Sequence, residues 1–207
     1  MNDPEAALPR RRRPRGDVRA GLVAAGLELA RTGGPDAVVL REATRIVGVV
    51  PNAAYRHFAD RDELLAEVCA AAMNALAERM TAGIGRVRGG AGAAQRRLAA
   101  IGTAYLEFAR EEPGLFATAF AVPQQHGYDE RNETTRTPLG LLRDALDELV
   151  AAGVLDRQRR EGIEYPIWSI VHGTAVLTGQ GPLRDAPAAE LRRIEARTLA
   201  FINNSLT

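Results

Sequence analysis

The stretch Leu40–Phe58 reads LREATRIVGVVPNAAYRHF, and the fold turns on how it is read. Its spacing predicts two short helices, Leu40–Val47 and Asn52–Phe58, broken at Gly48 and at the Val50-Pro51 pair. A tight turn suits Gly48, which has no β-carbon to clash. Pro51 suits the first position of the second helix, where its missing N–H costs nothing. Helix, tight turn and second helix make a helix-turn-helix. The small side chains of Ala43, Thr44, Ala53 and Ala54 let the two helices approach closely. Ala54 and Phe58, four residues apart, are expected to face inward, and Asn52, Tyr55 and Arg56 to share the outer face.

Tyr55, Arg56 and His57 are residue types that enzymes use. No nucleophile or carboxylate pair stands beside them, and they project from a helix rather than a pocket, so catalysis is disfavoured. The outer face suits DNA. The second helix of such a unit enters the major groove with its N-terminal residues nearest the base edges. Asn52 can pair with adenine, and Arg56 with guanine or a phosphate. Tyr55 and His57 suit phosphate oxygens, which fix register without reading sequence. Arg41, Arg45, Val50, Ala53 and Arg61 complete the candidate DNA-contacting set.

The chain outside this stretch fits a larger helical protein. The sequence has 207 residues, 46% hydrophobic and 26% charged, the composition of a globular protein able to bury a sizeable core. Its one cysteine, Cys69, excludes an internal disulfide and a cysteine-rich zinc site, and fits a reducing cytoplasm. His57, His126 and His172 are scattered, so no metal is expected, and no cofactor motif is present. GIGRVRGG lacks the dinucleotide-binding spacing and reads as a linker.

Every basic side chain apart from histidine is arginine, and the net charge of +1 is unevenly placed. Residues 1–60 hold ten arginines against seven acids, and residues 61–207 hold 17 against 19. The excess centres on RRRRPRGDVR, residues 10–19, with Arg10, Arg11, Arg12, Arg13 and Arg15 forming a candidate arm for a polyanion. Asp17, Arg19 and Glu28 interrupt any signal-peptide core after it. Residues 165–183 carry no formal charge but are too polar to span lipid. A helix there should be covered on all sides, partly by its own domain and partly by something else.

Helical periodicity runs through nearly the whole chain. Val18, Leu22, Ala25 and Leu29 mark a first helix stopped at Gly33-Gly34-Pro35. Leu65, Val68, Cys69, Ala72, Met73, Leu76 and Met80 mark a long one from about Asp60. Leu98, Ile101, Tyr105 and Phe108 lie on another, and Pro113 opens a short helix carrying Phe116 and Phe120. The polar run 123–136 reads as a surface loop. Leu139–Leu149, a helix centred on Trp168, and one with Leu191, Ile194, Phe201 and Ile202 complete the chain. An all-α fold of nine helices follows. It divides into a 1–16 arm, a 17–62 helix-turn-helix domain and a larger 63–207 domain.

LREATRIVGVVPNAAYRHFADRDELL, residues 40–65, resembles the DNA-binding signature of the tetracycline-repressor (TetR) family of bacterial transcription regulators. Gly48, Val49, Pro51, Tyr55, His57, Phe58 and Leu64 stand in the expected places. WSIVHGTAVL, residues 168–177, resembles the Trp-x-x-x-His-Gly element of one C-terminal subgroup. The resemblance implies a cytoplasmic homodimer, joined by its last two helices, that binds double-stranded operator DNA and responds to a small molecule. The implied interface draws on Ile167, Ile170, Val171, Thr174, Thr178, Leu191, Ile194, Thr198 and Ile202. Met73, Tyr105, Phe108, Phe116, Phe120, Leu142, Trp168 and His172 are candidate ligand contacts, for a largely apolar effector. For Trp168 and His172, one turn apart, packing in the core is the competing reading.

The stretch departs from the family pattern at several positions. Val39 and Val50 occupy positions where the family usually places a serine or threonine before each helix. Each missing cap costs on the order of 1 kcal/mol. Asn52 replaces the more usual glycine, and Thr44 the more usual alanine. Two other readings remain open on sequence alone: an all-α enzyme acting on a small apolar molecule, and a non-specific DNA-organising protein.

Overall fold

The computed structural model describes residues 15–122 and 137–206, which form nine α-helices and two short 3-10 turns. Arg10, Arg11, Arg12, Arg13, His126 and the polar run 123–136 lie outside the described residues.

Helix α1 (Arg15–Gly33) leads through a 3-10 turn at Pro35–Ala37 into α2 (Leu40–Val47). Gly48 stops α2 with φ 73°, the left-handed conformation that glycine adopts freely, and its N–H bonds back to the Thr44 carbonyl at 2.9 Å. Regular helix in α3 (Pro51–Ala54) ends four residues short of the expected Phe58. The cause lies in its last turn, where the His57 N–H reaches the Ala54 carbonyl at 2.8 Å and tightens the backbone. The Phe58 N–H also bonds to Ala54, so the chain keeps its helical course until Phe58 is buried.

Helix α4 (Arg61–Gly85) is firmly started. Asp60 Oδ1 accepts from the Glu63 N–H at 2.9 Å, while Glu63 Oε2 accepts from the Ala59 N–H at 2.6 Å, close to a capping box. At 25 residues α4 runs roughly 37 Å and crosses the expected domain boundary near residue 62. It packs on α1, α5 (Ala93–Glu111), α6 (Pro113–Ala119) and α7 (Pro138–Ala151). Helices α8 (Glu164–Gly179) and α9 (Ala188–Leu206) pack on each other and on α5.

One apolar core therefore continues from Leu22 and Phe58 through Leu64 and Leu76 to Leu146 and Leu206, all fully or almost fully buried. Polar ties sit around it. Arg19 pairs with Glu67 on α4 at 3.1 Å, and its guanidinium lies 5.0 Å from the Phe58 ring centre. Buried Glu164 receives Arg143 Nε at 3.1 Å and Arg160 at 2.9 Å, joining α7 to the start of α8. Burial opposes its ionisation, but its own backbone N–H and the two guanidiniums together hold the carboxyl below the usual carboxylate range. Thr174 and Thr198 hydroxyls, 3.1 Å apart, join α8 to α9. Among the described residues no helix is long and apolar enough to cross a membrane, and no cluster has metal-ligating geometry.

Candidate nucleic-acid interface and core cavity

The helix-turn-helix is anchored from within. Ala54 and Phe58 are fully buried, as is Ala43. Thr44 is also buried, with its hydroxyl donating to the Arg41 carbonyl at 2.7 Å, so the unusual threonine leaves no orphan polar atom. Neither Val39 nor Val50 makes a side-chain cap, and both have the extended backbone of an N-cap.

The outward face carries Arg41, Arg45, Asn52, Tyr55 and Arg56, all exposed, with Ala53 and His57 half-buried at its edge. Val50 is 68% exposed and Tyr55 59%. Arg45 Nε holds Glu42 at 2.8 Å on the same helix. Arg61 does something else. Its Nε donates to the Val38 carbonyl at 2.9 Å and a terminal nitrogen to the Pro35 carbonyl at 2.8 Å. It clasps the turn before α2 to the start of α4, while its side chain stays 39% exposed and also reaches Asp62 at 3.5 Å. Arg15 opens α1, while Arg19, the last arginine of the basic run, is held by Glu67.

The second feature is a cavity of about 50 Å³ lined by α5, α7, α8 and α9 with the Met80 side chain of α4. Of the candidate ligand residues, Tyr105, Leu142 and Trp168 line it. Ile167, Val171 and Ile202, grouped from sequence with the dimer face, are buried within the protomer and line the cavity as well. Leu98, Gly102, Leu199 and Asn203 also contribute and were missed. Leu98 lay on a recognised helical stripe, but nothing in a single sequence says which stripe residues border a void. Among the described residues no charged side chain lines the cavity; Tyr105, Trp168 and Asn203 supply its polar side-chain groups.

Phe116, Phe120 and His172 form a separate cluster beside it. His172 lies tilted against Phe116 with ring centres 5.6 Å apart and meets Phe120 edge-on at 4.7 Å, and Phe116 meets the Tyr105 ring edge-on at 5.5 Å. Phe108 is buried in the core and Met73 half-buried against it; neither borders the cavity. Tyr105 connects the two regions. Its hydroxyl lies 2.8 Å from His172 Nδ1 and receives the Trp168 indole N–H at a long 3.4 Å. Burial pushes the Tyr105 phenol up and the His172 imidazole down, so both favour their neutral forms.

The aromatic helix α6 reaches the other end of the molecule. Gly114 sits where a Cβ would stand 2.2 Å from the Ala30 carbonyl oxygen, and Glu112 pairs with Arg31 of α1 at 2.8 Å. Cavity, α6 and the helix that supports the head thus share one packed core.

On α8 and α9, Ile170 is exposed, Thr178, Leu191, Ile194 and Thr198 are half-buried, and Thr174 is buried. Val176, Leu177 and Phe201 are exposed beside them, Phe201 at 64%, and were not among the expected interface residues. Phe201 and Ile202 are adjacent on one helix and cannot both point inward, a signal that was available.

The profile of the tetracyclin repressor-like C-terminal domain matches residues 98–201. No curated protein matches the chain. Among solved structures, a protein of unknown function from Rhodococcus sp. RHA1 superposes with a TM-score of 0.65 at 22% identity, covering 91% of this chain and 95% of that one. A TetR family transcription regulator from Marinobacter aquaeolei VT8 gives 0.59 at 14% identity, over 89% and 95% of the two chains. The ketosteroid transcriptional regulator KstR2 of Mycobacterium tuberculosis gives 0.57 at 15%, over 91% and 94%. At these identities the likeness is one of fold; with half of the chain matched by the family profile, this chain belongs to the tetracycline-repressor family of transcription regulators.

Proposed function

We propose that the protein is a dimeric repressor whose two helix-turn-helix heads bind a palindromic or near-palindromic operator and are released by a small, uncharged, largely apolar molecule. The observation that carries this reading is the union of an outward basic and polar face on α2–α3 with an apolar cavity in the same core. Arg41, Arg45, Asn52, Tyr55, Arg56 and His57 would hold the phosphates and bases. Exposed apolar side chains on α8 and α9, Ile170, Leu177 and Phe201 among them, would meet the same face of a second copy. The arm containing Arg10–Arg13 and Arg15 would add phosphate contacts.

The cavity argues for a conformational release. Sites for drug-sized ligands occupy about 300–1,000 Å³, more than this space of about 50 Å³. An effector must open it, and binding the open state more tightly shifts the population towards that state. Helix α6, seated on α1 through Gly114, would carry the change to the heads.

A gel-shift against the DNA flanking the protein's own gene, with and without competitor, tests the reading. Salt-sensitive, sequence-selective binding is expected, with a shallower salt dependence when residues 1–15 are removed. Binding indifferent to sequence would instead support a DNA-organising role.

A further inference from the structure

Exposed large apolar side chains fall into two groups among the described residues. One lies on α8 and α9. The other is confined to the head: Val39 40%, Ile46 40%, Val50 68% and Tyr55 59%. Isolated exposed apolar residues are ordinary, but these four lie in the same α2–α3 segment as the exposed arginines 41, 45 and 56. A face built only to hold phosphates has no use for this group. Val50 is the most exposed of the four, and it stands at the N-terminal boundary of α3, the end expected nearest the base edges. Its backbone is that of an N-cap, yet it forms no cap, so the valine serves no evident purpose in starting the helix.

The major groove offers an apolar feature of its own, the C5-methyl group of thymine. We infer that Val50 is a specificity-determining residue that reads a thymine methyl in each half-site of the operator. This rests on the DNA-binding reading above and adds a base identity to it. The neighbouring Asn52, exposed and without a side-chain hydrogen bond among the described residues, is placed to read an adjacent base.

The test is selection of bound sequences from a random double-stranded DNA pool with the full-length protein. Each thymine of the selected half-site is then replaced by uracil, which removes only the methyl. One position is expected to lose about fourfold in affinity per half-site substituted, the effect of one buried methyl group. Val50→Ser is expected to bind the thymine and uracil forms of that site equally. Serine is a favoured N-cap, so loss of the preference would not reflect unfolding. Selection of a defined site that tolerates uracil everywhere, or a Val50→Ser protein that keeps the thymine preference, overturns the inference while leaving DNA binding intact. Failure to select any sequence overturns both.

Discussion

The Tyr105 hydroxyl stands 2.8 Å from His172 Nδ1 and 3.4 Å from the Trp168 indole nitrogen. The indole can only donate, so the tyrosine oxygen accepts from it, while the sense of the Tyr105–His172 bond follows the imidazole tautomer. His172 itself is half-buried. Burial lowers its pKa below the usual imidazole value, so the unfolded chain binds a proton more readily than the folded one. That contribution is fully present above the usual value near 6.5 and is lost as pH falls through the lower folded-state value. The melting temperature should thus fall more steeply between pH 7.5 and 5.5 for the native protein than for His172→Gln. Parallel slopes would mean that His172 does not titrate against folding.

The cavity should behave as apolar space. Leu142 lines it and is buried, so Leu142→Ala is expected to cost about 2–5 kcal/mol and enlarge the void. Benzene should then raise the melting temperature of the variant more than that of the native protein, and benzoate should not. Equal effects of the neutral and charged compounds would contradict an uncharged lining.

Gly114 has no room for a side chain. The obstacle is the carbonyl oxygens of Ala30 and Arg31, which are backbone atoms and cannot rotate away. Gly114→Ala should therefore cost about 1–3 kcal/mol in urea unfolding and push α6 from α1. Glu112→Gln, which loses only the partly exposed pair with Arg31, should cost less than about 1 kcal/mol. If α6 sets the posture of the heads, Gly114→Ala also changes DNA affinity well below its melting temperature. Unchanged affinity would leave the contact structural.

Much of this was legible beforehand, for identifiable reasons. Gly48, Pro51, Ala54 and Phe58 are constrained locally, by backbone conformation and helical spacing, and a local constraint is written in adjacent residues. The helix count followed from periodicity in the same way. Arg61 shows the opposite case. Its partners, the carbonyls of Val38 and Pro35, carry no side-chain signal, so only the folded turn reveals these two bonds. Ile167, Val171 and Ile202 differ again. Helix α8 is apolar on most sides, so periodicity could not separate the face towards the cavity from the face towards solvent.

Val39 offers a test of the missing caps apart from base reading. Its backbone, φ −121° and ψ 127°, already has the extended conformation of an N-cap, and Glu42 occupies the third position of α2. A hydroxyl at residue 39 would therefore complete a capping box, since the present Glu42–Arg45 pair is exposed and contributes little. Val39→Thr keeps the branched shape and is expected to stabilise the protein by about 1 kcal/mol in urea unfolding. Its DNA preference should be unchanged. Val50→Ser should bring a similar gain but lose the thymine preference, so the pair separates helix initiation from base reading. No gain in either variant would show that packing against α1 and α4, rather than capping, limits the stability of the head.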